Sequence, residues 1–401
     1  MPVYLDYNAA APIRPEARAA AICALDIGAN PSSVHANGRL ARAAIEQARG
    51  EVASLVGADA GQVTFTSGGT EANTMAIEAA IAAGSKTPIV LMTEHPSTIN
   101  TAAASGNWTE AWPVSSDGVA NLDWLRDRLK TWRKEDGAPF AAVSLANHET
   151  GVIQPVAEIA AIVHEAGGWL HVDGVQAAGK IDIDFNALGA DTLTLSGHKL
   201  GAPQGVGALI AGPRAKLQRR SLDAQQERGL RAGTENLSGV AGFGAAALAA
   251  LRDLPGMADH AAWRDAVAER LKAAGCIVAG EAAPRLPGTL CTVCDGWESQ
   301  LQVMALDLAG VMVSAGAACA SGKVTPSNVL AAMKLSGFTE PFSKSMSALS
   351  ALNTGGVAPM GAENYGLRAS GGWATTEEDW TTFADAWLTA HERWSARRKV
   401  A

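Results

Sequence analysis

The chain is short of cysteine, of concentrated charge and of long apolar runs, and each shortage excludes something. Five cysteines scattered over 401 residues do not make a disulfide framework. Basic residues number 32 against 40 acidic, a formal charge of −8, with no dense Lys/Arg block. Direct nucleic-acid binding as the main business is therefore not expected. The longest apolar run, residues 240–251, is too short to span a bilayer. The start, MPVYLDYNAAAPIRPEA, carries neither a basic leader nor a long apolar stretch, so no signal peptide is expected. No low-complexity tail or internal repeat is found. With 48% hydrophobic and 18% charged residues the composition is ordinary for a globular protein, which excludes disorder, collagen and coiled coil. The expectation is a soluble cytoplasmic protein with no membrane partner.

What is present is a rhythm of short apolar runs alternating with Ala-rich helical patterns. Residues 62–66, 87–92, 140–145, 169–172, 192–195 and 207–210 read as strands, and a helix starts at Glu71. Continuous apolar strands separated by helices predict an α/β fold with a mostly parallel sheet covered on both faces. After Leu254-Pro255-Gly256 the pattern changes. A helix over 263–273 and short strands over 276–279 and 288–294 predict a smaller α+β domain.

Three motifs carry chemistry. Ser196-Gly197-His198-Lys199 follows an apolar strand and runs into a glycine-rich stretch. A lysine there can reach a buried pocket, where desolvation makes its amine a Schiff-base nucleophile; alone, it would more often be a solvated loop residue. His171-Val172-Asp173-Gly174-Val175-Gln176 puts Asp173 at a strand end, the usual place for ligands in open α/β sheets, although a lone Asp there is commonly a helix N-cap. Thr66-Ser67-Gly68-Gly69-Thr70-Glu71 joins a strand to a helix, where glycines and a helix N-terminus suit a phosphate. In this chain order the three fit pyridoxal 5′-phosphate in a doubly wound domain. The phosphate would sit at Gly69 and Thr70, and Asp173 would keep the pyridine nitrogen protonated. Lys199 would bond the cofactor and move the Cα proton. Gln176 can donate to the phenolic oxygen, and His95, just past another strand, can stack on the ring.

Further segments complete a resemblance. Tyr4-Leu5-Asp6-Tyr7-Asn8-Ala9-Ala10, Asn30-Pro31-Ser32-Ser33-Val34-His35, SGGTEAN from Ser67, TEH ending at His95, ETG at Glu149, HVDGVQ, SGHKLGAPQGVG, RAGTEN from Arg231, SAGAACASG around Cys319 and Leu367-Arg368-Ala369-Ser370 occur in order. The chain resembles the class V aminotransferase-fold enzymes, specifically cysteine desulfurases of the NifS/IscS type. The resemblance implies the fold of PLP-dependent transferases (aspartate aminotransferase-like, fold type I). Its large domain would span residues 16–257, and its small domain residues 1–15 and 258–401. It implies that Lys199, Cys319 and His95 are catalytic. Asp173, Gln176, His95, Gly69, Thr70, Ser196 and His198 would bind the cofactor, with Thr234 reaching in from a second subunit of a homodimer. Asn147 and Arg368 would bind the substrate carboxylate, with Asn30 nearby. Cys319, among small residues that let a loop move, would take sulfur from L-cysteine as a persulfide and leave L-alanine. The sulfur would pass to a protein acceptor such as an iron–sulfur scaffold. Selenocysteine lyase, another class V reaction, or a divergent partner-binding paralogue are the alternatives.

Cys291-Thr292-Val293-Cys294 imitates a metal-binding pair, but positions three apart on a strand face opposite ways and no further ligand set completes it, so no metal is expected. Cys23 and Cys276 lie in apolar patterns and are expected in the core. The chain departs from the family in four places. Asn147-His148-Glu149 stands for the usual Asn-Asn-Glu. Asp223-Ala224-Gln225 replaces a Gly-rich stretch. Pro96-Ser97-Thr98 follows His95, and extra sequence occupies residues 335–362. That segment reads equally as a lid or docking element and as a tolerated surface insertion.

Overall fold

The structure, a computed structural model, describes residues 2–106, 109–219, 225–315, 327–335 and 365–398. Cys319, Asp223, Ala224 and residues 336–362 of the extra segment lie outside the described residues. The larger sheet has seven strands: β2 (Val63–Thr66), β3 (Ile89–Leu91), β4 (Glu110–Trp112), β5 (Phe140–Ser144), β6 (Trp169–Asp173), β7 (Thr192–Ser196) and β8 (Gly207–Ala211). Their order is β2-β8-β7-β6-β5-β3-β4. The run from β7 to β4 is parallel, and β8 is antiparallel to both of its neighbours. This is the mostly parallel sheet expected. All residues of β2, β5, β6 and β7 are buried, as strands covered on both faces require. β4 was not read from the sequence. It is a three-residue edge strand with only Trp112 buried, too short to carry a pattern.

One face of this sheet is covered by α1 (Pro15–Ile27), α2 (Ala36–Leu55), α5 (Leu122–Lys130), α6 (Val156–Glu165), α7 (Phe185–Leu188) and α8 (Leu237–Asp253). The other carries α3 (Gly69–Ala82) and α4 (Pro96–Ala104). α2 shows why such segments are helical: its buried Ala41, Ile45, Ala48, Val52 and Leu55 recur at three- and four-residue spacing on one face. α1 opens on Pro15 at its first position and closes on Gly28 in the left-handed conformation, φ +57°. α8 runs through a short turn at Pro255 into α9 (Asp259–Ala273). The joined stretch Leu237–Ala273 is long and apolar enough to cross a membrane by length and composition. Val240, Phe243, Ala246, Ala247 and Ala250 are nevertheless buried in the core beneath the sheet.

A second core lies around a four-stranded antiparallel sheet, β12-β13-β10-β9 (Ser314–Ala315, Gly366–Ser370, Thr289–Val293, Ile277–Val278). α9, α10 (Ser299–Leu308) and the C-terminal helix α12 (Glu377–Arg398) pack on it, while α11 (Asn328–Ala332) lies on its opposite face. The N-terminal strand β1 (Val3–Tyr4) pairs in parallel with β11 (Val311–Met312), so Val3 and Leu5 are buried in this second core. Cys291 and Cys294 point to opposite faces, one into each apolar cluster of this region, as strand geometry demands. Cys276 is buried, but Cys23 is exposed. The helical stripe that α1 buries runs through Ala17 and Ala24, which leaves position 23 on the outer face.

Candidate active site

The parallel strands place their last residues in register. Ser144 of β5 pairs with Asp173 of β6, and Asp173 with Thr194 of β7, two residues before Ser196. Glu94 and His95 follow β3, and Lys199 follows β7. Chemistry-bearing side chains thus collect at the carboxyl edge of the sheet, where open α/β sheets bind ligands. Of these, Ser144, Asp173, Ser196, His95 and Lys199 line a cavity of about 460 Å³ together with Gly69, Thr70, Asn8, Gln176, His148 and His198.

One end of the cavity is built for an anion. α3 begins at Gly69, two residues earlier than the sequence suggested, and its N-cap Gly68 offers no side-chain acceptor. The first-turn N–H groups of a 14-residue helix therefore face the cavity rim without a cap from that residue. A Cβ at position 69 would stand 2.9 Å from Val175 Cγ2, so glycine is what lets the helix start this close to the β6 loop. Ser196 Oγ lies 3.0 Å from His198 Nδ1. Burial, and then the Lys199 ammonium, hold His198 down to about 4, so it is neutral at pH 7.

Asp173 is held purely as an acceptor. Its Oδ1 takes the Val175 N–H at 2.9 Å and its Oδ2 takes Asn73 Nδ2 at 2.7 Å. Asn73 Oδ1 in turn faces His171 Nε2 at 3.0 Å, and His171 Nδ1 faces Thr192 Oγ1 at 2.9 Å. The donors fall in one consistent direction. Thr192 donates to Nδ1, Nε2–H donates to Asn73, and the Asn73 amide donates to Asp173. Burial lowers His171 to about 4, consistent with a neutral ring in this chain. Asn73 Nδ2 also donates to Ser97 Oγ at 3.0 Å, and Ser97 Oγ lies 2.7 Å from His95 Nδ1. His95 Nδ1 also accepts the Ser97 N–H as the N-cap of α4. With Nδ1 an acceptor, the ring proton of neutral His95 sits on Nε2.

Buried His171 carries a testable consequence. Its folded value, about 4, lies below the ordinary 6.5, so the unfolded chain binds a proton that the folded one refuses. The associated stability is complete above pH 6.5 and is lost as the pH falls towards 4, about 3 kcal/mol in all. Glu94 works in the opposite sense. Burial, and then Asp173, raise it to about 7, so its share is present below 4.5 and lost as the pH rises through 7. Comparing denaturant unfolding of wild type and His171→Gln from pH 7 to pH 4 isolates the first effect. The wild type is expected to lose more stability over this window than the variant.

At the other end Lys199 Nζ donates to the carbonyls of Asn8 at 2.5 Å and Ala9 at 2.7 Å. Gln176 Nε2 donates to Asn8 O at 3.0 Å. His148 stands edge-on to His95, ring centroids 5.4 Å apart, with its Nε2 3.6 Å from Glu149 Oε1. Burial, then His95, Arg368 and Lys199, push His148 well below its ordinary value. Arg368 is buried behind His148. It donates to His148 O at 3.0 Å and to Asp6 Oδ1 at 2.8 Å, and its Nε–H has no hydrogen-bond partner among the described residues.

Arg368 does not line the cavity, and three more expected site residues lie outside it as well. Asn147 is turned into its own loop. Its Nδ2 donates to Thr93 O, and its Oδ1 accepts from Glu149 N, Thr150 N and Thr150 Oγ1, and it does not line the cavity. Asn30 is exposed between α1 and α2, outside the cavity, with its Oδ1 capping the Ser32 N–H. Thr234 is exposed and does not line the cavity of its own chain.

The aminotransferase class-V family profile matches residues 3–379. The chain belongs to the class-V aminotransferase family. A cysteine desulfurase of Cereibacter sphaeroides is 40% identical over 351 residues, 83% of this chain and 87% of that protein. A cysteine desulfurase of Nostoc sp. is 36% identical over 342 residues, 83% of this chain and 84% of its own. Among solved structures, a NifS-like protein from Rickettsia africae is similar with a TM-score of 0.83 at 27% identity, over 98% of this chain and 100% of that one.

In this member of the class-V aminotransferase family, several residues of the cavity drew no role from the sequence. Asn73, Asn8 and His171 stood inside quoted motifs but received no role, because their work is to orient other side chains. Lys180 was missed altogether. It is 5% exposed and lies four residues past Gln176. The Gln-x-x-x-Lys spacing was visible, but burial of the ammonium was not.

Proposed function

We propose that the chain is a pyridoxal 5′-phosphate-dependent cysteine desulfurase, acting as a cytoplasmic homodimer. The observation that carries this reading is the polar chain from Thr192 through His171 and Asn73 to Asp173, facing Lys199 across the cavity. It fixes an acceptor at one end of a ring-sized site and an amine at the other. The start of α3, which Gly68 does not cap, would supply the anion site. The cysteine desulfurases at 36–40% identity support the choice of reaction.

The residues present fit the cofactor. The N-terminus of α3 at Gly69 and Thr70, with Ser196 and His198, would hold the phosphate, and Asp173 the protonated ring nitrogen. Gln176 would donate to the phenolic oxygen, Lys199 would bond the aldehyde carbon, and His95 would lie against the ring face. When bound, pyridoxal phosphate supplies an electron sink for the pair released at the substrate's Cα. The chain's own residues do the rest. Lys199 takes the Cα proton, and its two carbonyl partners, Asn8 O and Ala9 O, keep the amine aimed at one place. His95, its tautomer set by Ser97, carries Nε2–H for donation. Arg368, buried behind His148 with an Nε–H that has no hydrogen-bond partner among the described residues, would take the substrate carboxylate. The resemblance assigns the sulfur to Cys319, whose thiol and L-cysteine together become a persulfide and L-alanine. A protein acceptor such as an iron–sulfur scaffold would take the sulfur, and Thr234 would complete the phosphate site of the other subunit.

The test is product analysis with the cofactor-loaded protein, L-cysteine and a dithiol reductant. L-alanine and sulfide in equal amounts are expected. A keto acid in place of alanine would replace this reading with an aminotransferase one.

A further inference from the structure

The mechanism above leaves one buried lysine unused. Lys180 Nζ donates to Asn8 Oδ1 at 2.6 Å and to Gln176 Oε1 at 3.1 Å. Both acceptors are amide oxygens, so this one group settles which way two amides face. Asn8 is left with its Nδ2 towards His148 O at 3.3 Å and Thr289 Oγ1 at 3.2 Å. Gln176 is left with its Nε2 towards Asn8 O, the same carbonyl that receives Lys199 Nζ. A side-chain amide nitrogen has two N–H groups, so Gln176 keeps a second donor while it lines the cavity. With its oxygen held by Lys180, Gln176 cannot flip to present an acceptor there.

We propose that Lys180 is a positioning residue for the cofactor's phenolic oxygen: it holds Gln176 and Asn8 in the one amide orientation that turns an N–H of Gln176 towards that oxygen. The proposal rests on the cofactor reading above. Burial supports an unusual role, since a lysine is rarely enclosed without a carboxylate partner. Burial, and then the cations Lys199 and Arg368, push the Lys180 amine well below its ordinary value. Tyr7 and Arg14 line the small cleft it shares with Lys199, and Asp173, His95, His148 and His198 line the cavity with Gln176. The donor to the Gln176 oxygen is Lys180.

The consequence is spectroscopic. A donor to the phenolic oxygen shares its negative charge, so that oxygen holds the neighbouring imine proton less tightly. Releasing Gln176 removes that competition, and the pH at which the bound cofactor's visible absorbance changes should rise. In Lys180→Met the titration midpoint is expected to move up by about one pH unit, the equivalent of one charge-assisted hydrogen bond. Lys180→Arg, which keeps donors, should restore most of the wild-type midpoint. Lys180→Gln, with a single amide donor, should fall between and serves if the methionine variant does not fold. In a Gln176→Ala background, Lys180→Met should add no further shift. An unchanged midpoint in Lys180→Met or Lys180→Gln would overturn the proposal. So would an equal shift without Gln176, which would make Lys180 a bare charge. Absence of any visible band after adding pyridoxal 5′-phosphate to the wild type would overturn the cofactor reading and the proposal with it. A band with an unmoved midpoint would overturn the proposal alone.

Discussion

Lys199→Ala is expected to form L-alanine from L-cysteine at least about 10⁴-fold more slowly than the wild type, because a positioned proton carrier and the covalent anchor are lost together. The fold should survive. Lys199 sits half-buried just past β7, and its amine donates to backbone carbonyls of the Asn8–Ala9 segment. The remaining polar set, with Asp173 and the start of α3, should still retain cofactor without a covalent bond. Borohydride treatment followed by denaturation and gel filtration separates the two states: cofactor should stay with wild-type protein and leave the variant. Cofactor fixed to Lys199→Ala would place the reactive amine elsewhere, and Lys180 would be the first alternative.

Asp173→Asn is expected to lower turnover by about 10²–10⁴-fold, and the loss should reach beyond the ring nitrogen. An amide at 173 cannot be an acceptor on both sides. If its oxygen keeps the Val175 N–H, its NH₂ group meets the Asn73 NH₂ group. Asn73 must then flip, and its flipped oxygen meets Ser97, which had been receiving from it. Ser97 must turn its hydroxyl proton away from His95 Nδ1, which keeps the Ser97 backbone N–H but loses the hydroxyl donor. On the other side, the flipped Asn73 nitrogen meets His171 Nε2–H, so His171 must change tautomer and Thr192 must reverse. One substitution therefore disturbs both the pyridinium partner and the ring above it. A crystal structure or histidine nitrogen resonances of the variant would show the change at His171. Turnover within threefold of wild type would contradict the proposed role of Asp173.

The fold was largely legible in the sequence because the parallel strands are buried on both faces and read as unbroken apolar runs. β5, β6, β7 and β8 fall within a residue or so of the runs that marked them. β4 was not legible because three residues at an edge have no period to detect. Cys23 was misplaced because an alanine-rich helix looks apolar all round, and only the tertiary contacts show which stripe is buried. At the site, the residues that end strands could be named from motif and position. The residues that aim them could not, because amide orientation and tautomer depend on hydrogen bonds between segments far apart in the chain. Asn73 and His171 are 98 positions apart, and Asn8 and Lys180 are 172. Asn147 shows the converse: a motif position expected to face substrate, whose amide oxygen is bonded within its own loop and whose nitrogen donates to the carbonyl of Thr93.

The most direct test of the desulfurase account is a single turnover. Cofactor-loaded protein is mixed with one equivalent of L-cysteine, alkylated at once, digested and analysed by mass spectrometry alongside free alanine. The account predicts one extra sulfur atom on Cys319 and an equal amount of L-alanine. Alanine formed while Cys319 carries no extra sulfur would contradict it.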